Sequence, residues 1–187
     1  MDAEFLPIAV SYPKKGAIVL VHTAMPCWFS MTKSPLPASP EGEELYLSLG
    51  SNLGDREDAL HRAIALIEER IGTVQRVSSF IETEPWGFES EHPFLNAACM
   101  VLTTLSPEEW LKETQQIERE LGRKSKSRNG VYHDRPIDID LLLYGNLKLT
   151  TPTLTLPHPR MYERDFVMIP LREILSDSEN MVQKRVE

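Results

Sequence analysis

The chain has 187 residues, 41 % of them hydrophobic and 26 % charged, which is the composition of a globular protein with one domain or one domain plus a tail. Its net charge of −8 disfavours nucleic acid and anionic membranes as partners, so any anion site must come from local clustering. Because Cys27 and Cys99 have no metal or redox spacing and no apolar run is long enough to span a membrane, we expect a cytoplasmic protein with reduced thiols.

Residues 1–44 differ from the rest of the chain because they show no sustained periodicity and are rich in proline: Pro7, Pro13, Pro26, Pro35, Pro37 and Pro40. The apolar stretch 17–21 follows Lys14 and Lys15 but is shorter than the roughly 7–15 residues of a signal-peptide core, which disfavours export. We expect a disordered leader or a start codon called too early, with Met31 as the true start. The sequence does not separate these two alternatives.

Regular patterns begin at about residue 45. Apolar residues at helical spacing predict one helix, and segments rich in Val, Phe, Ile and Thr predict strands. The polar and glycine residues at 50–55 have the chemistry of a turn and a helix start. The predicted elements are, in order, a strand over 45–49 that ends at Gly50, a helix over 55–70 that ends at Gly72, a strand over 74–83 and a strand over 94–104.

The second helix has the clearest start signal in the chain. Ser106 can cap it, Pro107 suits the first helical position, and Glu109 completes a capping box. Its apolar face runs to Leu121, and Gly122 ends it. The segments that follow are a polar loop over 123–136, a strand over 137–144, a proline-rich corner over 157–159 and a last helix over about 166–175.

The order strand, helix, strand, strand, helix, strand is typical of an α+β ferredoxin-like sandwich. We therefore predict an antiparallel sheet with two helices on one face, plus an extra C-terminal helix. The predicted domain covers 45–175, between a leader at 1–44 and a polar tail at 176–187.

Asp138 and Asp140 lie two residues apart in a predicted strand, so both carboxylates point to one face while Ile137 and Ile139 point to the other. Two adjacent carboxylates in an apolar strand repel each other, and a divalent cation relieves that conflict. Magnesium suits such a pair because it is commonly held by one or two carboxylates plus substrate phosphates. The alternative, two solvated carboxylates on an exposed face, stays open on this short motif alone.

The loop before this strand carries a local charge of +4, from one acid, Asp134, and five cations: Arg123, Lys124, Lys126, Arg128 and Arg135. Arginine forks match phosphate oxygens, and phosphoryl transfer depends mostly on positioning and electrostatic stabilisation. Because the loop leads directly into the carboxylate pair, the two together predict a nucleoside-triphosphate site. A solvated basic loop is the alternative.

Aromatic residues form a second candidate set. Phe94 and Asn96 share the third strand, while Trp86 and Phe166 lie in separate segments. A flat heterocycle could stack between such rings while the Asn96 amide reads its edge. The alternative is that all three rings belong to the core. The segment 50–55 lacks the G-K-[ST] ending of a phosphate loop, so a turn is its favoured role.

Several ordered blocks resemble the 6-hydroxymethyl-7,8-dihydropterin pyrophosphokinase family of folate biosynthesis. The resemblance covers roughly 45–175 and rests on L-S-L-G-S-N-L-G-D at 47–55, E-T-E-P-W-G at 82–87, F-L-N-A-A at 94–98, I-E-R-E-L-G-R at 117–123, D-R-P-I-D-I-D at 134–140 and L-P-H-P-R-M at 156–161. It implies a ferredoxin-like fold and an enzyme that moves the β,γ-diphosphate of ATP onto a pterin alcohol, leaving AMP.

The resemblance also implies roles for single residues. It gives two magnesium ions bound by Asp138 and Asp140, with catalytic roles for these carboxylates and for Arg123 and Arg135. The implied ATP contacts are Gln115, Glu118, Tyr132, His158 and Arg164. The implied pterin contacts are Thr83, Trp86, Phe94, Asn96 and Phe166.

The chain departs from the family in two places within the matched region, and the leader before about Glu44 matches nothing in the family. Its polar loop is longer than in short members, and Tyr132 stands where tryptophan is common. Tyrosine can still stack, so we expect activity. The rival interpretations are a phosphate-binding protein without catalysis and a ferredoxin-like nucleic-acid module. The intact carboxylate pair disfavours the first, and the acidic charge disfavours the second. We expect a monomer that binds neither nucleic acid nor membrane.

Overall fold

The structure is a computed structural model that describes residues 42–124 and 133–175. The predicted tail and all but the last three residues of the predicted leader lie outside the described residues. None of the helices within the described residues is both long and apolar enough to cross a membrane. The described elements are β1 (Glu43–Ser51), α1 (Arg56–Arg70), β2 (Thr73–Val77), β3 (Ile81–Thr83), β4 (Phe94–Thr103), α2 (Pro107–Glu120), β5 (Asp138–Tyr144), β6 (Leu149–Thr150), β7 (Thr155–Leu156), a short 3₁₀ helix (Met161–Glu163) and α3 (Asp165–Ile174).

The main sheet is antiparallel and has the strand order β2-β4-β1-β5, with β3 also paired to β4. Strands β6 and β7 form a separate hairpin. The chain contains two strand–helix–strand units, β1-α1-β2 and β4-α2-β5. The two central strands, β1 and β4, are the first strands of these two units, as in a ferredoxin-like sandwich. The predicted fold class is therefore confirmed.

Alternation along β1 divides the core into two layers. Leu45, Leu47 and Leu49 are fully buried against the apolar faces of α1 and α2. Tyr46, one residue out of phase, is buried on the opposite face against α3. Each of these leucines contributes roughly 2 kcal/mol through burial, so the sheet is held from both sides. The extra C-terminal helix is thus a third layer of the domain.

The predicted helix ends are confirmed with small shifts. Asp55 caps α1 by accepting a hydrogen bond from the Asp58 amide at 3.0 Å. At the start of α2, the Ser106 amide donates to Glu109 at 2.7 Å, which is the predicted capping box. After α2, Gly122 adopts a φ of +100°, a conformation that glycine accepts without strain, and it directs the chain to Arg123.

Two strand predictions are wrong in extent. The strand predicted over 74–83 is two strands, because Ser78 interrupts the ladder with β4: its hydroxyl accepts from the Ala98 amide at 2.9 Å and donates to the Ser79 carbonyl at 2.8 Å. The strand predicted to end at Gly50 continues to Ser51, because Gly50 pairs with both neighbouring strands and Ser51 still pairs with Leu95 of β4.

Candidate active site

A cavity of about 260 Å³ opens on the α3 side of the sheet. Its lining comes from β1, β3, β4, β5, α2, α3 and the loops that join them. One side is charged, with carboxylates and arginines, and the other is aromatic. This division matches two substrates of different chemistry bound side by side.

The carboxylate pair forms the charged floor. Asp138 and Asp140 point into the cavity from β5, while Ile137 and Ile139 are buried in the core under α1 and α2. Burial together with the charge of Asp138 raises the pKa of Asp140 to about 7, against the lowering effect of Arg164. The opposite faces predicted for the two residue types are confirmed, and the like charges do conflict.

Three arginines converge on these carboxylates. Arg123, whose side chain is 9 % exposed, bonds to Asp138. Arg135 Nη1 lies 3.3 Å from Asp138 Oδ2, and Arg164 Nη1 lies 3.7 Å from Asp140 Oδ2. Arg123 and Arg135 lie near the two ends of the basic loop that joins α2 to β5, while Arg164 comes from the segment before α3, so the fold adds a third cation to the two that the loop supplies. Such a set suits a bound triphosphate.

Glu118 connects α2 to the edge of the sheet. It is 2 % exposed, and its Oε1 accepts from the Ile139 amide at 2.9 Å and from Arg123 Nη1 at 2.5 Å. Its carboxylate therefore satisfies an outward amide of edge strand β5 and also orients Arg123. Coulombic attraction to Asp138 and Glu118 outweighs burial and raises the pKa of Arg123.

His158 faces the same cavity from the proline-rich corner. Burial lowers its pKa, and the nearby charges of Arg164 and Arg160 lower it further. Its Nδ1 accepts from the Arg160 amide at 3.2 Å, so in the neutral ring the proton is on Nε2. His158 can therefore donate one hydrogen bond to a phosphate oxygen without carrying charge.

Aromatic rings on the other side of the cavity contact two of the arginines. The Arg135 guanidinium lies 5.3 Å from the Phe94 ring centroid. The Arg164 guanidinium lies 4.8 Å from the Trp86 ring and 5.7 Å from the Phe166 ring. Phe94 is buried and Phe166 packs against the core, as the core alternative predicts, while Trp86 is 38 % exposed, and all three rings also line the cavity.

Asn96 and Thr83 supply polar groups beside these rings. Asn96 is 3 % exposed, and its Nδ2 donates to Thr83 Oγ1 at 2.9 Å. In the sheet, Gly50 pairs with Asn96 on one side and with Asp138 on the other. Since neighbouring strands lie about 4.8 Å apart, Asn96 and Asp138 are roughly 10 Å apart across Gly50. Asn96 and Asp138 thus lie on either side of Gly50, which has no side chain to fill the space between them.

The family resemblance implies that Asn96 and Phe94 contact a pterin, so we expect Gly50→Ala to raise the Kd for a pterin about tenfold: a Cβ at position 50 would lie 2.9 Å from Asn96 Oδ1 and 3.6 Å from the Phe94 ring. Binding of a non-hydrolysable ATP analogue should change less than threefold, and it serves as the internal control. Titration calorimetry with each ligand measures both constants. Equal losses for the two ligands would contradict a role of Gly50 on the aromatic side.

Most of the predicted site residues line the one cavity: Thr83, Trp86, Phe94, Asn96, Glu118, Arg123, Arg135, Asp138, Asp140, His158, Arg164 and Phe166. Gln115 is half-buried on α2 and is not among the lining residues. Tyr132 lies outside the described residues. Sequence reasoning missed Ser48, Gly50, Glu84 and Ile139, which also line the cavity. A glycine inside a strand pattern was the signal for Gly50, since it often marks a close approach of a ligand.

The sequence and the fold were compared with known proteins. A family model described as "7,8-dihydro-6-hydroxymethylpterin-pyrophosphokinase (HPPK)" matches residues 46–176. A Porphyromonas gingivalis protein named 2-amino-4-hydroxy-6-hydroxymethyldihydropteridine pyrophosphokinase is 56 % identical over 131 residues, which are 70 % of this chain and 89 % of that protein. The Bacillus subtilis protein of the same name is 48 % identical over 135 residues, which are 72 % of this chain and 79 % of that one.

A solved structure titled "Crystal Structure Analysis of the HPPK-DHPS in complex with substrates" resembles the fold with a TM-score of 0.55. It is 16 % identical, and the match covers 71 % of this chain and 40 % of that chain, so the chain spans less than half of that longer protein. At this identity the likeness supports the fold and not the chemistry.

Proposed function

The chain belongs to the 7,8-dihydro-6-hydroxymethylpterin-pyrophosphokinase family, and from that premise we propose how its cavity binds two substrates and joins them. The enzyme transfers diphosphate from ATP to 6-hydroxymethyl-7,8-dihydropterin in folate biosynthesis, and it releases AMP and the pterin diphosphate. The observation that carries the proposal is the single cavity in which paired carboxylates, three arginines and an aromatic wall meet.

The charged side of the cavity is the proposed triphosphate site. In the structure the arginines pair with Asp138 and Asp140. When a triphosphate binds with its cations, the phosphate oxygens would bind the arginines and the cations would bind the two carboxylates. The donor set fits magnesium, because Asp138 and Asp140 provide two hard oxygen ligands beside room for phosphates. Within residues 42–124 and 133–175 no three-residue cluster of His, Cys, Asp and Glu offers a metal site. When bound here, two magnesium ions would neutralise charge on the phosphates.

The aromatic side is the proposed pterin site. Phe94 and Phe166 would stack on the ring system, with Trp86 at its margin. Asn96 and Thr83 would bond to polar atoms at its edge, since the amide offers both a donor and an acceptor. The roughly 10 Å between Asn96 and Asp138 leaves room for the hydroxymethyl group to reach the phosphates.

The residues act mainly by positioning and by charge stabilisation. Arg123 and Arg135 lie on the two sides of Asp138, where they would bind oxygens of the transferred diphosphate. Glu118 orients Arg123, and neutral His158 would donate from Nε2 to an ATP phosphate. Arg164 would contact the triphosphate from the α3 side. This arrangement requires no strong base, because phosphoryl transfer depends on alignment and electrostatics.

We propose that Gln115 and Tyr132 contact ATP at its nucleoside end, and that the enzyme acts as a cytoplasmic monomer that binds no nucleic acid. The net charge of −8 supports the last point. Sedimentation of the purified protein should give the mass of one chain, and a stable dimer would contradict the proposed monomer.

The metal assignment is tested with Mn²⁺, which replaces magnesium and is seen by electron paramagnetic resonance. With a non-hydrolysable ATP analogue present, the wild type should bind about two Mn²⁺ ions per chain. Asp138→Asn should bind fewer or weaken binding at least about tenfold, because it removes one anionic ligand. Asp58→Asn, an exposed position on α1, is the matched control. Equal Mn²⁺ binding by all three proteins would rule out Asp138 as a ligand.

A further inference from the structure

A polar cluster outside the cavity joins three segments that are distant in sequence. Asn52 follows β1 and is only 2 % exposed. Its Nδ2 donates to Asp134 Oδ1 at 2.7 Å and to the His92 carbonyl at 3.2 Å, while its Oδ1 accepts from the Arg135 amide at 2.7 Å. One buried side chain therefore contacts both the loop that precedes β4 and the segment that precedes β5.

The backbone adds a further bond between the same two residues. The Asn52 amide donates to the Arg135 carbonyl at 3.1 Å. The backbone N–H and the backbone carbonyl of Arg135 are thus both bonded to Asn52. Both hydrogens on the side-chain Nδ2 of Asn52 are also used, by Asp134 and by the His92 carbonyl. The position of Arg135 relative to β1 is consequently set by Asn52, even though the Arg135 side chain reaches Asp138 and Phe94 in the cavity.

Asp134 connects the cluster to the loop over 84–93 a second time. Hydrogen bonds from Ser90 and from Asn52 hold the pKa of Asp134 below its usual range, against burial. The Ser90 hydroxyl also accepts from the His92 amide at 3.1 Å. This loop carries Trp86 and leads directly into Phe94, which line the aromatic side of the cavity.

We propose that Asn52 and Asp134 are positioning residues that hold Arg135 in register with the loop over 84–93, so that the phosphate side and the pterin side of the cavity keep a fixed distance. The inference rests on the proposed role of Arg135 in diphosphate transfer. Neither Asn52 nor Asp134 lines the cavity, so their loss should affect alignment more than substrate binding. A misplacement of about 1 Å is enough to slow a reaction roughly 100-fold.

The test exchanges the two residues. Asn52→Asp places a second carboxylate against Asp134 and removes the donors, so kcat should fall roughly 10- to 100-fold while the Kd values for ATP analogue and pterin change less than about threefold. Asp134→Asn keeps an oxygen that accepts from Asn52, so kcat should stay within about threefold of wild type. The double variant Asn52→Asp/Asp134→Asn restores the donor–acceptor pair between positions 52 and 134 and the wild-type charge, but it leaves the His92 carbonyl without its donor. Its kcat should therefore recover in part and exceed that of Asn52→Asp at least about threefold.

Controls separate positioning from stability. Asn146→Asp, at an exposed turn, should leave kcat unchanged. Thermal unfolding checks that each variant is folded. If Asn52→Asp does not fold, Asn52→Ala replaces it, and the same loss of kcat with the same small change in the Kd values is expected. A folded Asn52 variant with wild-type kcat, or a folded double variant as slow as Asn52→Asp, would overturn the inference. Arg135→Ala separates a failure of the proposed function from a failure of the positioning inference. A normal kcat in that variant would refute the role of Arg135 itself.

Discussion

Replacing Asp140 with asparagine should lower kcat by about three orders of magnitude, a loss of ~4 kcal/mol of transition-state stabilisation. Asparagine keeps the size of the side chain and removes its charge, so the cavity should keep its shape. The lost charge matters because Asp140 is one of two carboxylates proposed to bind the cations of the triphosphate. Steady-state kinetics at saturating magnesium and both substrates measure the effect, with Asp58→Asn as the control.

The same substitution should make the folded protein more stable at pH 8 in magnesium-free buffer. Partial burial and the nearby charge of Asp138 together raise the pKa of Asp140 to about 7, above the ordinary value of 3.8 that the unfolded chain retains. The folded state therefore binds more protons between these two values, and wild-type stability falls as pH rises through that window. Asparagine has no charge to bury. The stability gain of the variant should shrink as pH is lowered towards 4.

Two outcomes would contradict this account of Asp140. Near-normal turnover of Asp140→Asn at saturating magnesium would show that the carboxylate does not take part in the reaction. A lower melting temperature than wild type at pH 8 would show that Asp140 stabilises the fold through Arg164, whose Nη1 lies 3.7 Å from it. Loss of activity together with gain of stability is the combination expected of a functional carboxylate.

Replacing Arg135 with alanine should lower kcat about 100- to 1,000-fold while the Kd of an ATP analogue rises less than about tenfold. The reason is geometric: Arg135 lies between Asp138 and the Phe94 ring, at the junction of the two proposed substrate sites. A cation there stabilises charge that moves from one substrate to the other. Arg135→Lys should recover only part of the rate, since an ammonium cannot bind two oxygens as a fork.

Single-turnover kinetics separate the chemical step from binding for this prediction. Arg62→Ala, at an exposed position on α1, is the control and should behave as wild type. A variant that loses only ATP affinity, with an unchanged single-turnover rate, would assign Arg135 to ground-state binding. Full recovery by lysine would show that the planar fork is not needed.

The fold was largely predictable because its core follows simple periods. Alternate residues of β1 enter different layers, and the apolar faces of α1 and α2 repeat at helical spacing. The break at Ser78 was not predictable, because it depends on a side chain bonding to Ala98 on another strand. The same limit explains β1, whose end depends on two neighbours that pair with Gly50.

The site divides in the same way. Asp138 and Asp140 could be found from period-two spacing, and the basic loop from its composition. The role of Asn52 could not be predicted from the sequence, because its partner Asp134 is 82 residues away along the chain. Periodicity predicts faces, but it does not predict which polar side chains meet across loops. The family motifs supplied Arg164, and they gave a binding role to Phe166, for which spacing alone left a core role open.

The transfer of an intact diphosphate is tested most directly with ATP labelled on its β-phosphate, magnesium and 6-hydroxymethyl-7,8-dihydropterin. Phosphorus NMR of the products should show all of the label in the pterin diphosphate, with unlabelled AMP formed in equal amount. Asp140→Asn and Arg135→Ala should give the same products more slowly. Labelled ADP with a pterin monophosphate would contradict the account, because it would mean that the cavity transfers only the terminal phosphate.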